Sequence, residues 1–375
     1  MAAFWVAFAG GLSSCCGAAV DTDLGIDPDM DSDMDSGDCP TPEALELVEC
    51  MHPLNDDLVL DGQIVSCDND FSIQATLILR NGSRLASSGR IFVEDGGSII
   101  TEGTEGCPIY ITSNQDSPAP GDWSTFWVKE SADNDSMLTH TVVEYGGDSN
   151  GAIRLTGGGT IGFDHVTVRH TPQVALALGA GTVTRFTAVS FSDIPDAPVE
   201  INANNAQVVE PDVRIEEETV ADPFIDVVSG RMTVDGTWEA LPYPYRLFGD
   251  LRFERQLTIG EGADIAVSTS SRFFVSNGGS INAMGTEDNP VTIRSSVIPG
   301  VPGAWNQITI ANDAATNTTF THTTISHGGG GGSGALSVNG FLTLENVTFS
   351  DNAECDIDEA SNANITEIDS PYTSC

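Results

Sequence analysis

Between residues 138 and 201 apolar side chains alternate with polar ones in short runs, and the pattern returns every 23 positions. Leu138, His140, Val143 and Tyr145 are followed by Ile161, Phe163, Val166 and Val168, then by Thr184, Phe186, Val189 and Phe191. On the same count Ile153 and Leu155 stand over Leu176 and Leu178, and those over Val199 and Ile201. Alternation marks strands with one inward face, and a fixed period of this length broken by turn residues marks a stacked solenoid rather than a globule with one centre. The predicted fold is all-β, a right-handed parallel β-helix solenoid of roughly 13 coils and about 60 Å at the spacing of hydrogen-bonded strands.

A longer repeat overlies the short one. Gly96-Gly97-Ser98-Ile99 returns as Gly278-Gly279-Ser280-Ile281, Trp123 as Trp305, and Thr139-His140-Thr141 as Thr321-His322-Thr323, all at one constant offset in numbering. Toward the end, Val189-Ser190-Phe191-Ser192-Asp193 matches Val347-Thr348-Phe349-Ser350-Asp351 at a smaller offset, so the second copy has lost about one coil. The chain divides into a signal peptide (1–14), a lipidated acidic linker (15–38), an N-terminal cap (39–56), a first copy (57–228) and a second copy continuous with it (229–375). Thr41-Pro42-Glu43 followed by Leu45, Val48 and Cys50 predicts a short capping helix with Thr41 at its N-cap. Such a helix would cover the strand edges that an open solenoid end exposes.

Charge narrows the partners. The 375 residues carry 55 acidic side chains against 14 basic ones, a formal net charge of −41, and Lys129 is the one lysine. Nucleic acid and anionic membrane surfaces would be repelled before contact. The acidic tract 21–38 alternates Asp with other residues, but Gly37 is misplaced for a calcium loop, so a self-repelling linker is the better account. The apolar run 2–12 is too short to span a bilayer and reads as an export signal. Leu12-Ser13-Ser14-Cys15 after it resembles the bacterial lipobox, which implies lipidation of Cys15 and residence as an outer-membrane or cell-surface lipoprotein; cleavage near Gly17-Ala18-Ala19 would instead release a secreted protein. Six further cysteines, Cys39, Cys50, Cys67, Cys107, Cys355 and Cys375, are an even number in an exported chain and point to disulfides. Their positions predict staples on the terminal coils, with Cys355 joined to Cys375. No Cys/His spacing fits zinc, and no metal site is assigned.

The second copy carries a family resemblance. Thr237-Trp238, Pro242-Tyr243, Leu257-Thr258-Ile259-Gly260-Glu261-Gly262, Gly278-Gly279-Ser280, Gly285-Thr286 and Pro290-Val291-Thr292-Ile293 resemble exported bacterial parallel β-helix proteins of the pectin-lyase-like kind. The first copy departs from this pattern, with Cys107 where the second has Asn289. The resemblance implies the fold. It says little of function, because one scaffold carries lyases, hydrolases and adhesins alike.

Candidate chemistry is sparse. His140 and His322 fall on the inward column of Phe163, Phe186 and Leu344, and His327 takes the place of Tyr145, so these histidines read as structural. Phe163-Asp164-His165-Val166 looks like a pectate-lyase segment, but its second-copy partner Leu344-Glu345-Asn346-Val347 reads as a bend between strands. The carboxylate motifs of polygalacturonases do not occur as a set, and no catalytic residue is nominated. A ligand site should lie where the copies differ, which singles out Arg154, His165, Arg169 and His170; charge balance with Glu144, Asp164 and Glu200 is the plainer reading of the same residues. Trp123 and Trp305 are equivalent and read as structural, while Phe126 and Trp127 could stack on sugar rings. The expectation is a non-catalytic, monomeric envelope protein that presents an extended surface to polysaccharide or cell-surface glycans, without a cofactor and touching membrane only through its lipid. The alternatives are a polysaccharide lyase or glycoside hydrolase using calcium against its own negative surface, and a structural or cation-binding spacer.

Overall fold

Strands of two to ten residues follow one another from Glu46–Val48 to Asn364–Ile368, and each pairs in parallel with the strand one coil away. This is a computed structural model, and it describes residues 39–375 apart from 42, 43 and 134. The expected signal peptide, Cys15 and the acidic linker lie outside the described residues. Residues 39–375 form one compact unit, an all-β parallel solenoid of about 13 coils. One sheet runs its length in twelve strands, from Phe71–Ile73 to Thr348–Ser350, with Leu54 bridged to Ile73 as a further rung. In the first half each coil adds two more segments to a second twelve-stranded sheet; in the second half those segments separate into two six-stranded sheets.

The core is a set of columns. On the inner face of the long sheet Phe126 pairs with Ile153, Ile153 with Leu176, Leu176 with Val199 and Val199 with Ile225, all fully buried. Each such side chain withdrawn from water contributes roughly 1.5–3 kcal/mol, and its nearest apolar partners lie one coil above and below.

Bends between strands are held in left-handed backbone, which His and Asp tolerate and which Tyr145 and Ala188 adopt at equivalent places. His140, His165 and Ala188 hold φ of 44°, 56° and 49°, and Tyr145, His170 and Asp193 hold 63°, 54° and 53°. Asn346, at 53°, sits at the bend that the alignment with Asp164-His165 predicts. The expectation for His140 and His322 is corrected: Leu138 pairs with Phe163 and Phe163 with Phe186, so the first of these intervals is the longer and His140 falls out of the core column. It stacks instead on His165 at the bend, ring centroids 4.5 Å apart. His322 (φ 41°) and His327 (φ 65°) occupy equivalent bends and are only part-buried.

The two sequence copies do not superpose by translation along the axis. Ile109–Ser113 belongs to the second sheet of the first half, whereas its equivalent in the second copy, Val291–Ser295, belongs to the long sheet. Ile91–Val93 and Phe126–Val128 lie in the long sheet, and their equivalents at 273–275 and 308–310 lie in a six-stranded one. The duplicated unit is therefore not a whole number of coils. Equivalent residues point in different directions, and each face of the molecule joins unlike strands of the two copies.

Both ends are closed by disulfides, Cys39–Cys107 and Cys50–Cys67 at one and Cys355–Cys375 at the other. The expected helix after Thr41 does not form over Leu45 to Cys50. Glu46–Val48 is a strand paired with Gln63–Cys67, with Leu45 buried and Leu47 68% exposed. The open backbone edge of Gln63–Cys67 offers hydrogen bonds to an extended segment, and the Cys50–Cys67 bond holds that segment beside it. At the other end Ser374 bridges to Ile357, and Tyr372 packs edge-on against Phe349, covering the last coil.

Trp123 and Trp305 play the same part in each copy. Each is buried, and each indole N–H donates to a backbone carbonyl, that of Glu144 at 2.9 Å and of Ser326 at 2.8 Å. The indole of Trp123 occupies the space beside Gly146, where a Cβ on that glycine would lie 2.2 Å from the ring. Gly146→Ala is expected to lower unfolding stability by about 1–3 kcal/mol through overpacking. Gly158→Ala, with nothing within 4 Å, should be close to neutral. Urea midpoints of the two variants check the difference.

Candidate functional site

The outer face of the long sheet carries one residue per coil in a continuous row. Ser72 pairs with Phe92, Phe92 with Trp127, Trp127 with Arg154, Arg154 with Ala177, Ala177 with Glu200, Glu200 with Asp226 and Asp226 with Arg246. Neighbours on the row are about 4.8 Å apart, so its aromatic end and its acidic middle lie about 14 Å apart. Alternation explains why these residues point out: in Ile91–Val93, Phe126–Val128 and Ile153–Leu155 the flanking residues are buried and the central one half-buried.

At the aromatic end Phe92 and Trp127 meet at a ring separation of 5.8 Å. The Arg154 guanidinium lies 4.4 Å over the Trp127 ring, and the Lys129 ammonium 4.2 Å over Phe92. Trp127 is fixed further by its indole N–H, which donates to Thr156 Oγ1 at 2.6 Å. Lys129 pairs with Glu94, which also accepts from Ser72 Oγ at 2.7 Å. Burial works against ionisation of Glu94, but the hydrogen bonds from Lys129 and Ser72 outweigh it and hold this carboxyl below its ordinary range. Arg154 has no carboxylate within ion-pair distance among the described residues. It is a guanidinium seated over an indole with no carboxylate partner among them.

In the second copy the equivalent row is Phe274, Thr309, Ser337 and Asp358, on a different sheet. The indole has no counterpart there, and Arg252, which pairs with Phe274 and forms no ion pair among the described residues, lies 5.5 Å from the Phe274 ring.

The middle of the row is a closed charge network. Arg246 donates through Nε and Nη2 to the two oxygens of Asp226, both at 2.7 Å, and through Nη1 to Asp222. Its guanidinium lies between the rings of Phe224 and Phe248, 4.5 and 4.6 Å away. Asp226 is 3% exposed. Burial pushes it up to about 6 against the pull of Arg246, with Asp222 and Glu200 adding to the rise. Glu200 is also raised, by burial and then by Asp196.

The residues singled out from sequence do not converge. Arg154 belongs to the aromatic end of the long sheet. Arg169 lies on the second sheet and donates to Glu144 Oε2 through Nε and Nη2, at 2.8 and 2.6 Å. His165 contacts Asp164 at 2.7 Å, and His170 stacks on Tyr145 and pairs with Asp193 at 3.1 Å. These three are bend and charge-balance residues. Phe126 faces the core and is fully buried. Phe92 escaped sequence analysis, and Lys129 was noted there only as the one lysine; for Phe92 the Ile-Phe-Val strand carries the signal also seen in Phe-Trp-Val, a large aromatic at the outward position between two inward apolar residues.

Among the described residues no group of three or more His, Cys, Asp or Glu could hold a metal ion, and no helix is long and apolar enough to cross a membrane. No family model, curated protein or solved structure matches this chain.

The network yields a pH prediction. Because folding raises the Asp226 pKa above its unfolded value, the stability it contributes is fully present below about pH 4 and is lost as pH rises through about 6. Between pH 4 and pH 7.5 the unfolding free energy of the wild type should therefore fall by roughly 3 kcal/mol relative to Asp226→Asn. Parallel urea titrations of the two proteins measure this difference.

Proposed function

We propose that this protein is an exported, non-catalytic β-helix that binds acidic glycan along the first-copy end of the long sheet. The observation that carries the reading is the Phe92–Trp127–Arg154 row. The Trp127 ring seats the Arg154 guanidinium over its face, and that guanidinium offers paired donors to a carboxylate or sulfate on a sugar laid against the half-buried aromatic pair. The row lies along the axis with Ala177 next on it, a low residue that leaves room for a chain laid across the strands before the acidic middle begins at Glu200. The field of a chain of charge −41 opposes an anionic polymer at long range. Attachment therefore rests on short-range contact with Arg154, which forms no ion pair among the described residues, at an ionic strength that screens the rest. Three disulfides suit an oxidising, extracellular setting, and the resemblance of Leu12-Ser13-Ser14-Cys15 to a lipobox would place the solenoid at a bacterial envelope.

Polysaccharide cleavage is the second reading. The observation favouring it is Asp226, raised to about 6 beside Glu200 on the same row. Against it, Asp226 is occupied on both oxygens by Arg246 and covered from solvent, a poor position from which to reach a glycosidic oxygen.

Affinity electrophoresis in gels containing uronate-rich, sulfated or neutral polysaccharide tests the proposal. The wild type should be retarded by the acidic polymers, and Trp127→Ala or Arg154→Ala should weaken retardation roughly tenfold, the value of one stacking or charge-assisted contact. Release of reducing or unsaturated ends in the same incubations would replace binding by cleavage as the activity.

A further inference from the structure

One corner of the second half is free of charge on an otherwise strongly acidic molecule. The connectors 268–271, 296–307 and 328–335 contain no Asp, Glu, Lys or Arg, although 18% of the whole chain is charged. They follow consecutive strands of the long sheet and stack on one another: Asn306 N–H donates to Ser271 O at 3.0 Å, and Gly303 N–H to Gly328 O at 3.2 Å. The middle connector carries its apolar side chains outward, with Val297 49%, Ile298 78% and Val301 57% exposed. Phe248, 40% exposed, borders the same corner across a shallow hollow of about 450 Å³ lined also by Ser268, Ser271 and Ser296 and, at its edge, by Arg246, whose charge is paired with Asp226 and Asp222.

The duplication supplies an internal control. The first-copy loop at the same sequence position also ends in Pro-Gly before its tryptophan, but it has Gln115, Asp116 and Ala119 where the second has Val297, Ile298 and Val301. Entry into the tryptophan-bearing turn does not require an apolar tip.

We propose that this corner is a lipid-contact surface that inserts Ile298, Val297 and Val301 into the interface of a neutral, zwitterionic bilayer. Size favours lipid over a protein partner, since a stable protein interface uses about 20–30 residues on each side and here only a few apolar side chains project. A bilayer accepts single aliphatic side chains one at a time. Charge favours neutral headgroups: the molecule's field repels anionic surfaces, and the three stacked connectors themselves present no carboxylate, the next along the chain to carry any being 351–356, which stacks on 328–335 through Ala353. Such a contact would fix the axis of the solenoid relative to the membrane.

The test is flotation of the full chain with phosphatidylcholine vesicles, in a Cys15→Ala background so that no acyl chain contributes. The protein should float with the vesicles, and Ile298→Asp combined with Val301→Asp should lower partition roughly tenfold or more, since each loses a buried aliphatic and gains a charge. Val59→Asp, at a site 46% exposed near the opposite end of the chain, should leave partition unchanged, and replacing half the lipid with phosphatidylglycerol should reduce it. Absence of flotation, or flotation indifferent to the paired substitution, would overturn the proposal. So would sedimentation showing that the substitution dissolves a dimer while vesicle binding persists.

Discussion

Parallel pairing of each strand with the strands one coil away is the constraint on which everything else here depends. It satisfies the backbone in the axial direction and fixes inward residues into columns, so that Ile153 can be buried only because Phe126 and Leu176 are in register with it. The same register governs the outside. Phe92, Trp127 and Arg154 are neighbours although each lies a full coil from the next in sequence, and their contact is a by-product of backbone pairing before it is anything chemical. A solenoid turns a sparse set of side chains into a row without needing a cleft.

Duplication on such a scaffold has a consequence that duplication of a globular domain lacks. Because the repeated unit is not a whole number of coils, the second copy enters the stack turned by one strand position, and equivalent residues no longer share a face. Keeping a residue type in both copies thus cannot build a longer row of that residue. The features that both copies share, such as the buried tryptophan with its indole bonded to a strand carbonyl, are those that work locally within one turn. The features that make a surface, the Trp127–Arg154 row in one copy and the Val297–Val301 tip in the other, occur once.

Much of the fold was legible because stacking makes sequence periodicity literal: the columns of Ile153, Leu176 and Val199 and the bend at His165 can be read from residue spacing alone. The column through His140 cannot. The coil there is longer than the next one, and a fixed count slides past the bend. The face shift was hidden for a related reason, since a constant offset between copies preserves strand type and says nothing of how many strand positions the interval spans. At the amino end Leu45 and Val48 have the i, i+3 spacing of a helix, and the neighbouring open edge of Gln63–Cys67 overrides it by pairing Glu46–Val48 as a strand. Arg154 and Trp127 were separately noticeable in sequence, but only backbone register lays one on the other.

The central claim is that the first-copy end of the long sheet is the ligand-binding face. Amide hydrogen exchange, recorded with and without an acidic oligosaccharide that the protein retains, tests it most directly. Slowed exchange is predicted in Ile91–Val93, Phe126–Val128 and Ile153–Leu155 and in the turns that follow them. Protection confined to Arg272–Val275, Ile308–Ile310 and Leu336–Val338, the equivalent strands of the second copy, would contradict the account, as would no protection anywhere.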